Sequence, residues 1–214
     1  AVYRNSDPSD IVVTAAGGLV GEVVQIWKPK ELNTFETEWG FSCMSYEISG
    51  ALGIKMAKPD QDVIVFVGDG SYLLQNSDIY SSVLYDKKLI IVVCDNGGHM
   101  VINRLQLAKG GNEYLCNLNA ARATNLQFVD FEAHAKSMGA NGETVKSISE
   151  LEAAFKRAKE SDKTYVISMK TDGYEWLEGT AFWESPTLEV DNTEGKKSAL
   201  KEFLEGKNKQ RKGV

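Results

Sequence analysis

The chain has 214 residues, a length typical of one domain or of one domain with an appendage. Its 43% hydrophobic and 25% charged residues are ordinary for a globular protein, and no apolar run approaches the roughly 20 residues that span a bilayer. The net charge of -6 argues against a general nucleic-acid binder.

The two ends of the chain and its cysteines allow further predictions. The first residues have neither the basic start nor the apolar stretch of a secretory signal, so we expect a cytoplasmic protein. A strand pattern already begins at Asp10, which suggests that the chain is the back part of something longer. The basic stretch 207–212 predicts a solvated or disordered end. The three cysteines form no CxxC pair and are odd in number, which indicates neither a disulfide framework nor a zinc site.

Strand and helix patterns alternate in the first half of the chain. DIVVTAAG predicts a short buried strand, and a helix is expected over Leu19–Ile26. NTFETEW alternates with a period of two and predicts a second strand. In Cys43–Ala57, apolar residues recur every four positions, which is typical of a packed helix. DVIVFVGDG is apolar on both faces and predicts a strand that is covered on both sides of a sheet.

The second half continues the alternation. A helix is predicted over Asp78–Leu84, and KLIIVVCDN predicts another doubly buried strand. Phe131–Met138 is predicted to be helical, and the S-x-x-E pattern at 149–152 predicts a capping box that opens a helix ending near Lys159. TYVISMKT predicts the last strand. The sequence therefore predicts an α/β fold, with a mostly parallel sheet flanked by helices on both faces.

Two of the predicted strands end in glycine beside a carboxylate or an amide. Gly68 and Gly70 flank Asp69, and the next strand ends in Asp95-Asn96-Gly97-Gly98, with 27 positions from Asp69 to Asn96. Because ligands of parallel sheets bind beyond the carboxyl ends of strands, we expect both loops to open onto one crevice. Each motif alone is an ordinary turn pattern. Their joint occurrence after two buried strands favours a ligand site.

The chemistry of these loops favours a phosphate held through a cation. Glycine backbones approach a ligand closely, and N–H groups at the start of a helix bind anions. A bare Asp69 carboxylate would repel phosphate, but a divalent cation between them would remove the conflict. Mg²⁺ takes about six oxygens, here from Asp69, Asn96, the Gly98 carbonyl, two diphosphate oxygens and one water.

This arrangement resembles the signature of thiamine-diphosphate enzymes, in which GDG is followed after about 25 residues by NN or DN. The resemblance implies thiamine diphosphate and Mg as cofactors, within the thiamine-diphosphate-binding fold. The resemblance extends to TEWGFSCMSYEISGALGIKMA, which is similar to the segment that contacts the aminopyrimidine of the cofactor, with Met44 supporting its bent conformation. VVTAAGGL is similar to the loop that contacts the diphosphate.

Longer pieces resemble one family within that superfamily, the trihydroxycyclohexanedione hydrolases of myo-inositol catabolism. These pieces are EWGFSCMSYEISGALG, VGDGSYLLQNS, DNGGHMVINRLQLAKGG, VDFEAHAKSMGA and TDGYEW. The resemblance implies hydrolysis of a C–C bond, with ring opening of a cyclic polyhydroxy dione to 5-deoxy-glucuronate. Residues 1–185 would be the diphosphate-binding domain of a longer three-domain chain. Residues 186–214 would be a C-terminal extension, partly helical or disordered.

The resemblance also implies site residues. The metal ligands are Asp69, Asn96 and Gly98. The cofactor-binding residues are Gly17, Gly18, Leu19, Ser42, Cys43, Met44, Gly68, Gly70, Ser71, Tyr72, Asn96 and Gly98.

The catalytic glutamate that activates the cofactor is expected outside this chain, on the pyrimidine domain of a neighbouring subunit in a homodimer or homotetramer. Structural roles are expected for Glu38 and Glu47, and the segment Gly111–Gln127 is expected to be a mobile cover over the cofactor.

Several alternatives stay open. His99 is a candidate for a catalytic or substrate contact, or else it is a plain loop residue, since relatives usually carry an aromatic residue there. His134 is expected on a helix face, and Trp176 and Trp183 in a C-terminal flap or subunit contact. The chain as a whole could instead belong to an acetolactate synthase-like or decarboxylase-like thiamine enzyme acting on 2-oxo acids. It could also be a non-catalytic phosphate-binding α/β module.

Overall fold

Six parallel strands form the centre of the computed structural model, which describes residues 1–122, 125–178, 187, 190 and 193–211. The strands are β1 (Ile11–Thr14), β2 (Phe35–Thr37), β3 (Val63–Gly68), β4 (Ile90–Asp95), β5 (Asn141–Val145) and β6 (Tyr165–Lys170). They lie in the order β2-β1-β3-β4-β6-β5, and every neighbouring pair is parallel. The two doubly apolar strands, β3 and β4, are direct neighbours at the centre of the sheet, where both of their faces are buried.

Helices cover both faces of this sheet. They are α1 (Val2–Asn5), α2 (Gly17–Ile26), α3 (Tyr46–Ala57), α4 (Asp69–Leu74), α5 (Ser77–Leu84), α6 (Met100–Ala108), α7 (Phe131–Ser137), α8 (Ile148–Glu160) and α9 (Glu194–Lys209). One apolar cluster joins the sheet to α3, α4, α5 and α7, and a second joins the opposite face to α1, α2 and α8. The predicted α/β fold with helices on both faces is confirmed. Among the described residues, no helix is long and apolar enough to cross a membrane.

A charged network closes the end of the sheet where the strands begin. The Lys159 ammonium lies 2.7 Å from Asp10 Oδ1, 2.9 Å from Asp62 Oδ2 and 2.9 Å from Asp7 Oδ2. Burial alone would lower the pKa of Lys159, but the three carboxylates raise it well above its usual range. This cluster ties α8 to the residues that precede β1 and β3, at the end of the sheet away from the predicted ligand loops.

The start of α8 differs from the predicted capping box. The N-cap is Ser147, whose Oγ accepts a hydrogen bond from the backbone N–H of Glu150 at 3.2 Å. The Glu150 carboxylate in turn accepts from the backbone N–H of Lys146 at 2.8 Å. The predicted box at 149–152 was therefore wrong by two residues. Two overlapping S-x-x-E patterns occur here, and the second one fails because Glu152 pairs with Arg4 instead.

Other element boundaries also differ from the predicted ones for local reasons. The helix predicted from Cys43 begins at Tyr46, because Ser42 and Ser45 adopt positive φ values of 51° and 78° that no helix accommodates. The helix α6 and the edge strand β5 were not predicted from the sequence. In the C-terminal extension, which was expected to be partly helical, the described part contains the helix α9.

Candidate functional site

The carboxyl ends of the central strands form the candidate site. The chain leaves β1 toward β2 on one side and β3 toward β4 on the other, so the strand order reverses between β1 and β3. Ligands of open α/β sheets bind at such a reversal. The segments that follow β1, β3 and β4 meet there, and together with the last residue of β3 and the first residues of α2 and α4 they contain the predicted cofactor and metal residues other than Ser42, Cys43 and Met44.

Asp69 is the first residue of α4 and lies almost completely buried, at 6% exposure. Its Oδ2 accepts a hydrogen bond from the backbone N–H of Gly98 at 2.7 Å, which joins the loop after β3 to the loop after β4. Burial raises the pKa of the Asp69 carboxyl, and the nearby Asp95 carboxylate raises it further. A carboxylate that is buried and repelled in this way is well suited to a cation.

The Asn96 amide and the Gly98 carbonyl lie beside this carboxylate. One end of the Asn96 amide is 3.2 Å from Asp69 Oδ1 and 2.9 Å from the Gly98 carbonyl oxygen. Without a cation, hydrogen bonding favours the amide nitrogen at this position, donating to both oxygens, whereas a bound cation would favour the amide oxygen there. Neighbouring ligands of octahedral Mg²⁺, each at about 2.1 Å from the ion, lie about 3.0 Å apart. The two distances from the Asn96 amide are close to this value, so Asn96 suits a ligand position adjacent to both Asp69 and the Gly98 carbonyl.

The ligand types also decide which cation suits the site. Within the described parts of the chain, no group of three or more His, Cys, Asp or Glu side chains could hold a metal ion. One carboxylate, one amide oxygen and one backbone carbonyl are all hard oxygen ligands, which suit Mg²⁺ or Ca²⁺ better than zinc. Three protein oxygens leave coordination positions open for ligand oxygens and water.

The loop after β1 provides backbone donors on the other side of the strand reversal. Gly17 (φ +83°) and Gly18 begin the ten-residue helix α2, whose N-cap Ala16 makes no side-chain capping bond. The first N–H groups of a helix have no partner within the helix, so those of Gly17, Gly18 and Leu19 are available to an anion. Val101 of α6 packs against both glycines, within 3.9 Å of where a Cβ atom would stand.

A strained loop before α3 forms the third side of the site. Ser42 and Ser45, on either side of Cys43 and Met44, both have positive φ. Glu38 fixes this loop by accepting hydrogen bonds from the backbone N–H groups of Phe41 at 2.8 Å and Cys43 at 2.7 Å. Non-glycine residues in this conformation cost about 1–3 kcal/mol each and cluster at ligand sites.

The Cys43 thiol shows no sign of activation. Partial desolvation and the neighbouring Glu38 carboxylate both raise its pKa. The fraction of reactive thiolate is therefore reduced. This agrees with the absence of any activating partner in the sequence around it.

His99 and Met44 meet above Gly70. A Cβ atom at Gly70 would stand 2.7 Å from His99 Cε1 and 3.4 Å from Met44 Cε, so a larger residue there would force the His99 ring to shift. The His99 side chain is exposed and Met44 is half-buried. The structure thus brings together the predicted cofactor-supporting methionine and the candidate histidine at the mouth of the site.

Tyr72 does not present its side chain to the site. The ring is fully buried against Phe131, and its hydroxyl lies 2.9 Å from His134 Nδ1. Only the backbone of Tyr72 could therefore contact a cofactor there. The neighbouring Ser71 is also buried, at 4% exposure. His134, which was expected on a helix face, lies on α7 and is the partner in this hydrogen bond.

Glu47 lies beneath the loop after β1. It is 1% exposed, and its Oε1 accepts a hydrogen bond from the Ala16 N–H at 3.2 Å. Burial raises its pKa. This contact supports the structural role expected for Glu47.

Sequence reasoning missed one group of residues beside the metal loop. Glu113, Asn117 and Tyr174 bond to one another next to Gly97 and Gly98. Two signals in the sequence pointed to them without a role: the motif TDGYEW contains Tyr174, and the segment Gly111–Gln127, expected to be a mobile cover over the cofactor, contains Glu113 and Asn117. Trp176 of that motif stacks under the Arg104 guanidinium at 4.5 Å, and Trp183 lies outside the described residues.

Comparison with known proteins shows which family this chain resembles. The family model for the thiamine pyrophosphate enzyme C-terminal TPP binding domain matches residues 15–169. The 3D-(3,5/4)-trihydroxycyclohexane-1,2-dione hydrolase of Halalkalibacterium halodurans is 36% identical over 200 residues, 91% of this chain and 31% of that protein. The protein of that name from Listeria monocytogenes serovar 1/2a is 38% identical over 197 residues, 91% of this chain and 31% of the relative.

Solved structures support the fold. The thiamine diphosphate-dependent 4-hydroxybenzoylformate decarboxylase of Rhodococcus jostii RHA1 superposes with a TM-score of 0.66 at 20% identity, over 80% of this chain and 31% of that one. The chain spans about a third of the length of the curated relatives it matches. With the model match across most of its sheet, the chain belongs to the thiamine pyrophosphate enzyme family, as a C-terminal TPP binding domain.

Proposed function

We propose that residues 1–185 form the Mg²⁺ and thiamine diphosphate-binding domain of a longer three-domain hydrolase that cleaves a C–C bond. The observation that carries the proposal is the convergence of the Asp69 carboxylate, the Asn96 amide and the Gly98 carbonyl beyond the carboxyl ends of β3 and β4. With the Asn96 amide oxygen turned inward, the three converging oxygens would hold a Mg²⁺ ion against two diphosphate oxygens. The buried Asp69 carboxylate would supply the negative charge that the ion needs at this depth.

The remaining site residues would bind and orient the organic part of the cofactor. The N-terminal N–H groups of α2 would donate to the diphosphate, from Gly17, Gly18 and Leu19. The backbone at Ser42 and Met44 would bond the aminopyrimidine edge, while the Met44 side chain supports the bent cofactor. When bound, thiamine diphosphate would supply the nucleophilic carbon and the electron sink that C–C cleavage requires.

His99 would contact a substrate. Its exposed ring stands over Gly70 and beside Met44, at the mouth of the site. The glutamate that activates the cofactor would come from the pyrimidine domain of a neighbouring subunit, so we propose a homodimer or homotetramer that works in the cytoplasm. The 214-residue chain alone is therefore expected to bind the cofactor weakly and to turn over no substrate.

The proposed substrate is a cyclic polyhydroxy dione of myo-inositol catabolism, opened to 5-deoxy-glucuronate. Support comes from relatives at 36–38% identity that carry the name 3D-(3,5/4)-trihydroxycyclohexane-1,2-dione hydrolase. The decarboxylase structure shares only the fold at 20% identity, so it does not favour action on 2-oxo acids.

Calorimetry tests the cofactor proposal directly. The chain would be titrated with thiamine diphosphate in the millimolar range, with and without Mg²⁺, and in parallel with ATP and with NAD. We expect heat only from thiamine diphosphate and only with Mg²⁺. Binding of ATP or NAD with similar affinity, or binding that is indifferent to Mg²⁺, would identify a general phosphate-binding module instead.

Turnover tests the substrate proposal separately. The full-length natural polypeptide would be assayed with the cyclic dione and with pyruvate and other 2-oxo acids. Ring opening of the dione without decarboxylation of 2-oxo acids is the expected result. The reverse preference would assign the chain to the decarboxylase-like class. Activity from the purified 214-residue chain would contradict the assignment of the activating glutamate to another domain.

A further inference from the structure

The chain after α6 folds back onto the loop that carries the Gly98 carbonyl. The Leu118 N–H donates to the Gly97 carbonyl at 2.9 Å, and Gly98 forms an isolated antiparallel bridge with Asn117. A Cβ atom on Gly98, whose φ is +138°, would stand only 2.4 Å from the Cys116 carbonyl oxygen. Gly98 is thus enclosed between Asp69 on one side and residues 116–118 on the other.

Side chains hold this returning segment in place. The Asn117 amide nitrogen donates to Glu113 Oε1 at 3.1 Å and to the Tyr174 hydroxyl at 2.7 Å. The Tyr174 hydroxyl donates to Glu113 Oε1 at 2.7 Å, and Asn103 of α6 donates to the same oxygen at 2.8 Å. Asn117 and Asn103 are 2% and 1% exposed, so the network is rooted in the interior.

The loop after β6 places Tyr174 against the same strand end. The Thr171 N–H donates to the Asp95 carbonyl at 2.9 Å, and Asp172 Oδ1 accepts the Tyr174 N–H at 2.7 Å. A Cβ atom on Gly173 would stand 3.1 Å from the Asn96 carbonyl oxygen, so the loop rests directly on the metal loop. The motif TDGYEW therefore has a physical explanation: Asp172 makes the turn, Gly173 permits the close approach, and Tyr174 reaches the network.

We propose that Glu113, Asn117 and Tyr174 are positioning residues that keep the Gly98 carbonyl aimed at the cation. The proposal rests on the proposed function, because it assigns the network to the Mg²⁺ site. None of the three side chains contacts the three converging oxygens, so they act through the backbone of residues 97–98. Glycine backbones have a wide range of accessible conformations, and this loop contains two of them in succession. Without the network, the Gly98 carbonyl would sample orientations that leave the cation one ligand short.

The Tyr174→Phe variant tests the proposal with little risk to folding. It removes one oxygen from a ring that is 53% exposed, and with it the hydrogen bonds to Asn117 and Glu113. The matched control is Tyr165→Phe, which removes a hydroxyl that donates to Glu143 at 2.5 Å at the other end of the sheet. Affinity for Mg²⁺ would be measured by calorimetry on the 214-residue chain at excess thiamine diphosphate. We expect a loss of about 5- to 30-fold for Tyr174→Phe and less than about 2-fold for Tyr165→Phe.

A second pair of variants and a second readout separate positioning from general stability. Glu113→Gln should weaken Mg²⁺ binding like Tyr174→Phe, while Glu143→Gln should not. Hydrogen exchange without ligand should show faster exchange of the Leu118 amide in Tyr174→Phe and unchanged exchange in Tyr165→Phe.

The outcomes distinguish this proposal from the function on which it rests. A wild-type chain that binds thiamine diphosphate without Mg²⁺ would overturn the metal site itself. Wild-type binding that needs Mg²⁺, together with unchanged affinity in Tyr174→Phe and Glu113→Gln, would overturn the positioning role alone. A lower melting temperature with unchanged affinity would also overturn it, because the network would then be purely structural.

Discussion

Replacing Asp69 by asparagine should change stability in opposite directions without and with the metal. In the free chain, Asp69 is a buried carboxylate, and the Asn96 amide nitrogen can donate to its Oδ1 at 3.2 Å. In Asp69→Asn, the side-chain oxygen can still accept the Gly98 N–H, while the new amide nitrogen takes the position of Oδ1. The Asn96 amide can then turn over and accept from this nitrogen, so the bond between the two side chains is kept in the opposite direction. The buried charge beside Asp95 is removed.

The size of the effect follows from these contacts. Removal of a buried charge beside Asp95 stabilises the metal-free chain, and loss of the Asn96 bond to the Gly98 carbonyl offsets part of this gain, which leaves about 1 kcal/mol. For a chain of this length, that corresponds to a rise of about 2–4 °C in melting temperature. With ligand at about 100 times its dissociation constant, the wild type gains about 2.7 kcal/mol, which Asp69→Asn should lose. The ranking of the two proteins should therefore invert.

Thermal unfolding followed by circular dichroism measures the stability of each protein without and with the metal. Each protein is melted in EDTA and again with excess Mg²⁺ and thiamine diphosphate. Asp86→Asn serves as the control, because Asp86 is exposed in a turn at φ +50°, a conformation that asparagine also adopts. The prediction is contradicted if the melting temperature of Asp69→Asn in EDTA is no higher than that of the wild type. It is also contradicted if Mg²⁺ and thiamine diphosphate raise the melting temperature of both proteins equally.

Two further predictions concern groups outside the metal shell. Lys159→Met should lower the free energy of unfolding by about 2–3 kcal/mol, since it leaves Asp7 and Asp10 without their cation, while Asp62 keeps Lys88 at 2.9 Å. This is less than for a fully buried pair because the Lys159 side chain is 19% exposed. Lys156→Met, on the exposed face of the same helix, should change stability by less than about 0.5 kcal/mol in urea unfolding, and equal losses would contradict the network. Glu47→Gln should stabilise the chain by about 1–3 kcal/mol at neutral pH. Burial raises the pKa of Glu47, so its favourable contribution is complete below its unfolded value and is lost as pH rises through the folded value. The advantage of Glu47→Gln in urea unfolding should therefore vanish near pH 4, and an advantage that persists there would exclude this cause.

The ligand loops could be predicted from sequence because parallel strands impose simple geometry. Two strands that are apolar on both faces must lie inside a sheet, and their carboxyl ends must then lie on one edge. The register between β3 and β4, with Gly68 opposite Cys94, brings Asp69 level with Asp95 and within one residue of Asn96 for this reason. The approach of Asp69 to Asn96 is an outcome of strand pairing, which periodicity reveals.

Side-chain direction in short elements could not be predicted in the same way. The six-residue helix α4 has too few turns for its buried face to be read from periodicity. Tyr72, expected near the cofactor, instead packs its side chain beneath the site. Its direction is set by Phe131 and His134, about 60 positions away in the chain.

The network around Glu113 illustrates the stronger limit. Glu113 and Tyr174 are separated by 61 positions and lie on loops with no regular pattern, so neither periodicity nor motif spacing connects them. Both residues support the same flexible segment. Its two glycines allow a carbonyl to turn toward a cation, and for the same reason they also allow it to turn away. A metal loop of this kind requires support from outside itself. The loops after α6 and β6 are the nearest elements that could provide it, and both contact the metal loop at the glycines or at Asn96. The loops after α6 and β6, which show no regular pattern in the sequence, therefore support the site that the GDG and DNGG motifs predict.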